Sequence, residues 1–187
     1  GIVSVGIGFA FRDILQNFLA GIILLWTRPF RIRDEIVFRE FEGTVVDIQP
    51  RATVLNTYDG RVVVIPNAQL FTEAVTVNTG NDRRRVAYDV GIGVGDDIDH
   101  ARGVILEELR RLPSVLQEPA PDVLVVDLAD FAVKLRVRWW ISPPNFREII
   151  DARDEVLTRI KARLIEEGID LPFPTTQILL HDQTEAT

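Results

Sequence analysis

The chain has 187 residues, with 28 acidic against 21 basic side chains and a formal net charge of −7. That balance argues against a nucleic-acid-binding body. The absence of cysteine excludes disulfides, Cys-ligated zinc and thiol catalysis. The length suits one or two compact domains plus a further helix. A chain without Met that starts at Gly1, in the middle of an apolar pattern, reads as the C-terminal part of a longer protein.

Residues 1–11 carry no charge, Arg12 and Asp13 interrupt, and a second apolar run extends from Ile14 to Trp26. A spanning helix needs about 20 largely apolar residues. Small residues Gly1, Ser4 and Gly8 recur at helical spacing and would let a neighbouring helix approach closely. Ile2, Val5, Phe9 and Arg12 form a second stripe, which can face a lumen if the small face packs against copies of the same helix. Arg12 and Asp13 would each cost about 2.5–3.5 kcal/mol at the centre of a bilayer. They therefore belong near an aqueous mouth or at a bend. Pro29 has no N–H and disfavours helix before it, so the helix should stop near Thr27 or Arg28. On pattern alone, the rival is a buried helix of a soluble core.

Residues 31–80 read as short strands: 34–39, 43–48, 51–57 and 61–65, the last pair joined at Asp59-Gly60. Such strands make a small barrel or sandwich, whose open edges favour an oligomer. From residue 86 the pattern becomes strand, amphipathic helix (96–112), two strands (123–128 and 131–141) and a long helix (145–167) ended by Gly168. This β-α-β-β-α order fits a ferredoxin-like split unit. A last strand is expected at Gln177–His181.

Several patterns that could carry chemistry have plainer explanations. Gly91-x-Gly93-x-Gly95 precedes Asp96, Asp97 and Asp99, which would repel a phosphate and suit the first turn of a helix. His100 and His181 lie in no metal or triad spacing. Arg83-Arg84-Arg85 reads as a solvated strand start or a subunit contact. Trp139 and Trp140, adjacent on a strand, should point to opposite faces.

An ordered set of residues resembles the small-conductance mechanosensitive channel (MscS) family. It comprises Ala10-Phe11-Arg12-Asp13, Asn17, Ala20-Gly21, Arg28-Pro29-Phe30, Asp34-x-Ile36 and Gly43-Thr44-Val45-x-x-Ile48. It continues through Thr53-x-x-x-Thr57-x-Asp59-Gly60, Ile65-Pro66-Asn67 and Pro172-Phe173-Pro174. The resemblance implies a membrane pore helix with an interfacial extension (1–28), a small all-β, Sm-like domain (29–80), an α+β ferredoxin-like domain (81–174) and a C-terminal barrel strand and tail (175–187). It implies a tension-gated channel that releases ions and small solutes on hypo-osmotic shock, with no catalysis and no cofactor. The partners would be further copies in a homo-heptamer and the lipid bilayer, with no nucleic acid. The assembly would be multi-pass in the cytoplasmic membrane, with its body in the cytoplasm. Val5 and Phe9 would form the constriction, Ile2 and Arg12 would line the pore, and Gly1, Ser4 and Gly8 would pack helices together. Asp13, Asn17, Gly21, Arg28, Pro29 and Phe30 would couple pore to body. The best-known members have Gly at the position of Asp13, where the pore helix bends. The alternative from another class is a soluble oligomeric module that senses a small ligand.

Overall fold

The computed structural model describes residues 2–174, except for the side chains of residues 2–7 and of Phe9. The expected strand Gln177–His181 lies outside the described residues. Helix α1 runs unbroken from Ile2 to Thr27. It ends where Pro29 dictates, with Arg28 N donating to Leu24 O at 2.9 Å. No break in the helix occurs at Asp13. Among the described residues, no helix is long and apolar enough to cross a membrane.

The chain divides into two units: residues 1–84 with 142–148, and residues 85–141 with 149 onward. In the first, α1 is followed by β1 (Glu35–Phe38), β2 (Phe41–Ile48), β3 (Ala52–Thr57), β4 (Val62–Pro66), the short helix α2 (Asn67–Thr72) and β5 (Thr76–Val77). The strands form one antiparallel sheet in the order β4-β3-β2-β1-β5. Two tight turns set its register. Phe38 pairs with Phe41 across Arg39-Glu40, and Asp59-Gly60 turns with Gly60 at φ 85°. At Gly43 a Cβ would overlap the Asn56 carbonyl, so only glycine lets β2 and β3 approach this closely. Alternate strand residues Ile36, Phe38, Val45, Leu55 and Ile65 bury one face against Leu24, Phe30 and Leu70.

Residues 142–148 return to this first unit. The Phe146 ring stacks on Tyr58, with centroids 3.6 Å apart and planes 7° from parallel. Phe146 N donates to Glu35 Oε2 at 2.7 Å, and Ser142 Oγ donates to Asp82 O at 2.7 Å. Burial, and then the neighbouring Glu35 charge, push the Tyr58 phenol well above its ordinary pKa.

The second unit contains β6 (Arg84–Ile92) from its second residue, α3 (Ile98–Arg111), β7 (Asp122–Leu128), β8 (Val133–Ile141) and α4 (Phe146–Glu166) from Ile149 onward. Its strand order is β6-β8-β7, which places β8 in the centre, as a split β-α-β unit requires. Strand β8 alternates cleanly. Val133, Leu135, Val137, Trp139 and Ile141 are buried against Ala101, Ile105 and Leu109 of α3 and Val156, Ile160 and Leu164 of α4. Trp139 is fully buried and Trp140 is half-buried, as opposite faces demand. On the outer face Arg136 holds Asp89 through two bonds of 2.7 and 2.8 Å, Arg138 holds Asp122, and Lys134 holds Asp127. The Arg136 hydrogen bonds lower the Asp89 pKa.

Both helices carry their expected ends. The Asp97 side chain caps α3 by accepting from Asp99 N and His100 N, and these bonds lower its pKa. Gly168, at φ 73°, closes α4 in a Schellman motif: Gly168 N donates to Ile165 O and Ile169 N to Leu164 O. In the glycine-rich loop, Asp96 Oδ2 accepts from Gly93 N and Asp170 N, both at 2.9 Å. A carboxylate therefore takes the amide donors that a phosphate would need.

Candidate functional site

Of the residues singled out from the sequence, Asn17, Gly21 and Phe30 lie where α1 meets the sheet of its own unit. Asn17, Ala20, Gly21 and Leu24 share one helical face, and Ala20, Gly21 and Leu24 are buried. At Gly21 the approach is closest. A Cβ there would overlap the Pro50 carbonyl oxygen and stand 2.5 Å from Asn67 Nδ2. Asn67 is itself fully buried and fully used. Its Nδ2 donates to Gln49 O (2.8 Å) and Pro50 O (3.2 Å), and its Oδ1 accepts from Thr53 Oγ1 (2.9 Å). Its backbone N donates to Arg51 O at 3.1 Å. One side chain thus ties the start of α2 to the β2–β3 turn and presents that turn to Gly21.

Asn17 completes the link. Helix α2 begins after Pro66, which offers no side-chain cap. The N–H of Ala68, one of the unpaired donors of that first turn, instead donates to Asn17 Oδ1 at 3.0 Å. Asn17 Nδ2 donates back to Asp13 O at 2.9 Å, which fixes its rotamer. The cap of α2 is therefore supplied by α1. A cavity of about 380 Å³ beside this contact is bounded by Asp13, Ile14, Asn17, Arg51, Ala52, Val64 and Pro66.

At the end of α1, Arg28 takes the left-handed conformation (φ 48°) and its Nε donates to Leu25 O at 3.3 Å. Pro29 is exposed, and Phe30 is driven into the sheet's core beside Ile36 and Phe38. On other faces of α1, Phe11, Ile14, Leu15, Phe18, Leu19, Ile22, Leu25 and Trp26 are all exposed. Arg12 and Asp13 are exposed with them.

Gly8 is exposed, and a Cβ there would meet nothing within 4 Å. Gly1 and the side chains of Ile2, Ser4, Val5 and Phe9 lie outside the described residues. The structure adds Asn67, Pro50 and Ala68, which sequence reasoning did not assign. The signal available for them was Ile65-Pro66-Asn67, read as the end of a strand, although a Pro followed by a polar residue also marks a helix start. Among the described residues, no group of three or more His, Cys, Asp or Glu side chains could hold a metal ion.

Two family models match the chain. The mechanosensitive ion channel β-domain matches residues 13–79, and the MscS mechanosensitive ion channel C-terminal domain matches residues 86–171. An uncharacterised MscS family protein of Archaeoglobus fulgidus is 32% identical over 186 residues, covering 100% of this chain and 65% of that protein. The small-conductance mechanosensitive channel MscMJ of Methanocaldococcus jannaschii is 31% identical over 183 residues, covering 96% of this chain and 52% of that protein. The chain thus spans less than two thirds of the length of either. The crystal structure of Helicobacter pylori MscS in its closed state superposes with a TM-score of 0.89 at 26% identity, covering 98% of this chain and 72% of that one. With both of its domains matched in order, the chain belongs to the MscS family of mechanosensitive ion channels.

Proposed function

We propose that this chain is the pore-exit helix and body of a channel that opens under membrane tension and releases ions and small solutes on hypo-osmotic shock. It works as a homo-heptamer in the cytoplasmic membrane, with the body in the cytoplasm. The observation that carries the reading is the joint itself. One face of α1 is locked to the sheet through Asn17, Gly21 and Asn67, while the opposite face is apolar and exposed. A helix so divided can meet lipid or neighbouring helices on one side and move its own sheet on the other. Channel relatives in the family, MscMJ among them, support the same reading.

In this assembly Val5 and Phe9 form apolar rings that block ions by dewetting. Ile2 and Arg12 line the pore, and Gly1, Ser4 and Gly8 allow neighbouring helices to slide. Asp13 and Asn17 hold the helix to α2, Gly21 sets the distance of approach, and Arg28, Pro29 and Phe30 transmit motion. Gating is a shift between closed and open packings of the same helices, biased by tension.

Asn17→Ala tests the reading. It removes the cap on Ala68 N, a loss of about 1 kcal/mol that neither unit needs for folding. The expected channel opens under a pressure step, then closes or inactivates abnormally while the step is held, with expression and oligomer size unchanged. A normal response to sustained pressure in patch recordings would remove Asn17 from the mechanism. A collapsed oligomer would make it a structural residue.

A further inference from the structure

Three non-glycine residues among those described have positive φ, and all three are arginine: Arg28 (48°), Arg33 (79°) and Arg39 (52°). That conformation favours glycine or asparagine and is strained for a long side chain. A guanidinium kept where glycine would fit better points to a use for the charge. For Arg39 the use is visible: Nε and Nη2 hold Glu73 at 2.9 and 2.5 Å. Arg28 spends only Nε, on Leu25 O. Arg31 and Arg33 have no side-chain partner among the described residues, and both are exposed.

The three charges are grouped by local structure. Arg31 N donates to Asp34 Oδ2 (2.7 Å) and Asp34 N to Arg31 O (3.0 Å), closing a turn whose tip is Ile32-Arg33. Two apolar side chains flank them, Trp26 at 84% exposure and Ile32 at 52%. Residues 26–34 hold three arginines and one acid, Asp34, whose carboxylate accepts from Arg31 N and Thr79 Oγ1, in a chain whose net charge is −7. Exposed Trp beside Arg, at the end of an apolar helix, matches the chemistry of a lipid–water boundary.

We propose that the end of α1 and the Arg31–Asp34 turn form a docking surface for anionic phospholipid head groups. The Arg28, Arg31 and Arg33 guanidiniums take the phosphates, and Trp26 and Ile32 enter the boundary layer. The inference rests on the membrane reading above. It adds that the bilayer's charge is sensed at the joint.

The test is flotation of the full chain with vesicles of phosphatidylcholine, alone or with a quarter phosphatidylglycerol, at about 0.05 M and about 0.5 M salt. Each arginine near an anionic surface should add roughly fivefold to partitioning. The wild type should therefore favour the anionic vesicles by more than tenfold at low salt and lose most of that preference at high salt. Arg28→Gly with Arg33→Gly removes two charges where glycine is the unstrained residue, so the melting temperature should hold or rise. The anionic preference should fall roughly 25-fold. Arg110→Gln, on the exposed face of α3, should leave the preference intact. Equal flotation of the wild type with both vesicles would overturn the proposal and assign the arginines to an acidic protein segment. So would a glycine double variant that kept its full preference. The ratio is readable whether or not tension opens a pore: a gating channel without the preference sinks only this inference, and the preference without gating sinks only the channel.

Discussion

Gly21→Ala should destabilise the protein and loosen α1 from its sheet, although alanine is the better helix former. By propensity alone the change favours α1 by about 1 kcal/mol. The new Cβ, however, would overlap the Pro50 carbonyl and press on Asn67 Nδ2. Neither can yield cheaply. Pro50 O already accepts from Asn67, and Asn67 also holds Gln49 O and Thr53. Overpacking of this kind costs about 1–3 kcal/mol, which outweighs the propensity gain. Gly103→Ala is the matched control. It lies in α3, its Cβ would meet nothing within 4 Å, and it should stabilise by about 0.5–1 kcal/mol. Thermal melts of the two variants should therefore move in opposite directions. In pressure recordings, Gly21→Ala should also reproduce the abnormal closure expected of Asn17→Ala, because pushing α1 outward lengthens the Asn17–Ala68 bond. A stabilised Gly21→Ala would mean that the β2–β3 turn moves freely, and would remove it from the coupling path.

Phe30→Ala should have the largest effect on stability. Phe30 is buried with Leu24, Ile36, Phe38, Val45 and Leu55, and so belongs to the core of the sheet while lying next to the end of the helix. Truncating a buried Phe costs about 3–5 kcal/mol, a large share of the 5–15 kcal/mol that holds an ordinary domain together. The expected result is faster tryptic cleavage after the exposed Arg31 and Arg33 and a lowered melting transition of the first unit. Phe30→Leu should recover most of the loss. Were Phe30→Ala to melt like the wild type, the helix end would be anchored by Leu24 alone, and the role given to Arg28-Pro29-Phe30 would fall.

The readable parts of this protein were those governed by local rules. Pro29 fixed the end of α1, the alternation in β8 separated Trp139 from Trp140, and Gly168 closed α4 in a left-handed turn. The parts that sequence reasoning missed depend on distant partners. Helix α2 has six residues, too few to be stable on propensity, and its first turn is completed by Asn17 from 51 residues earlier. Strand β5 has two residues and exists only because β1 offers an edge. A family pattern led to the expectation that Asn17 contacts the β-domain or the neighbouring pore helix, but its acceptor role toward Ala68 was not legible, since nothing in one sequence pairs positions 17 and 68.

The return of residues 142–148 to the first unit bears on how the protein is made. Phe146 N reaches Glu35 across 111 positions, and the Tyr58–Phe146 stack spans nearly as far. During synthesis from the N-terminus, the strands of the first sheet emerge early, yet their last contacts wait for most of the second unit to be translated. Until then Tyr58 lacks its stacking partner and Glu35 its amide donor. The first unit is thus finished late, and a ribosome that stalls before residue 142 leaves a nascent sheet whose Tyr58 ring and Glu35 carboxylate still lack these partners.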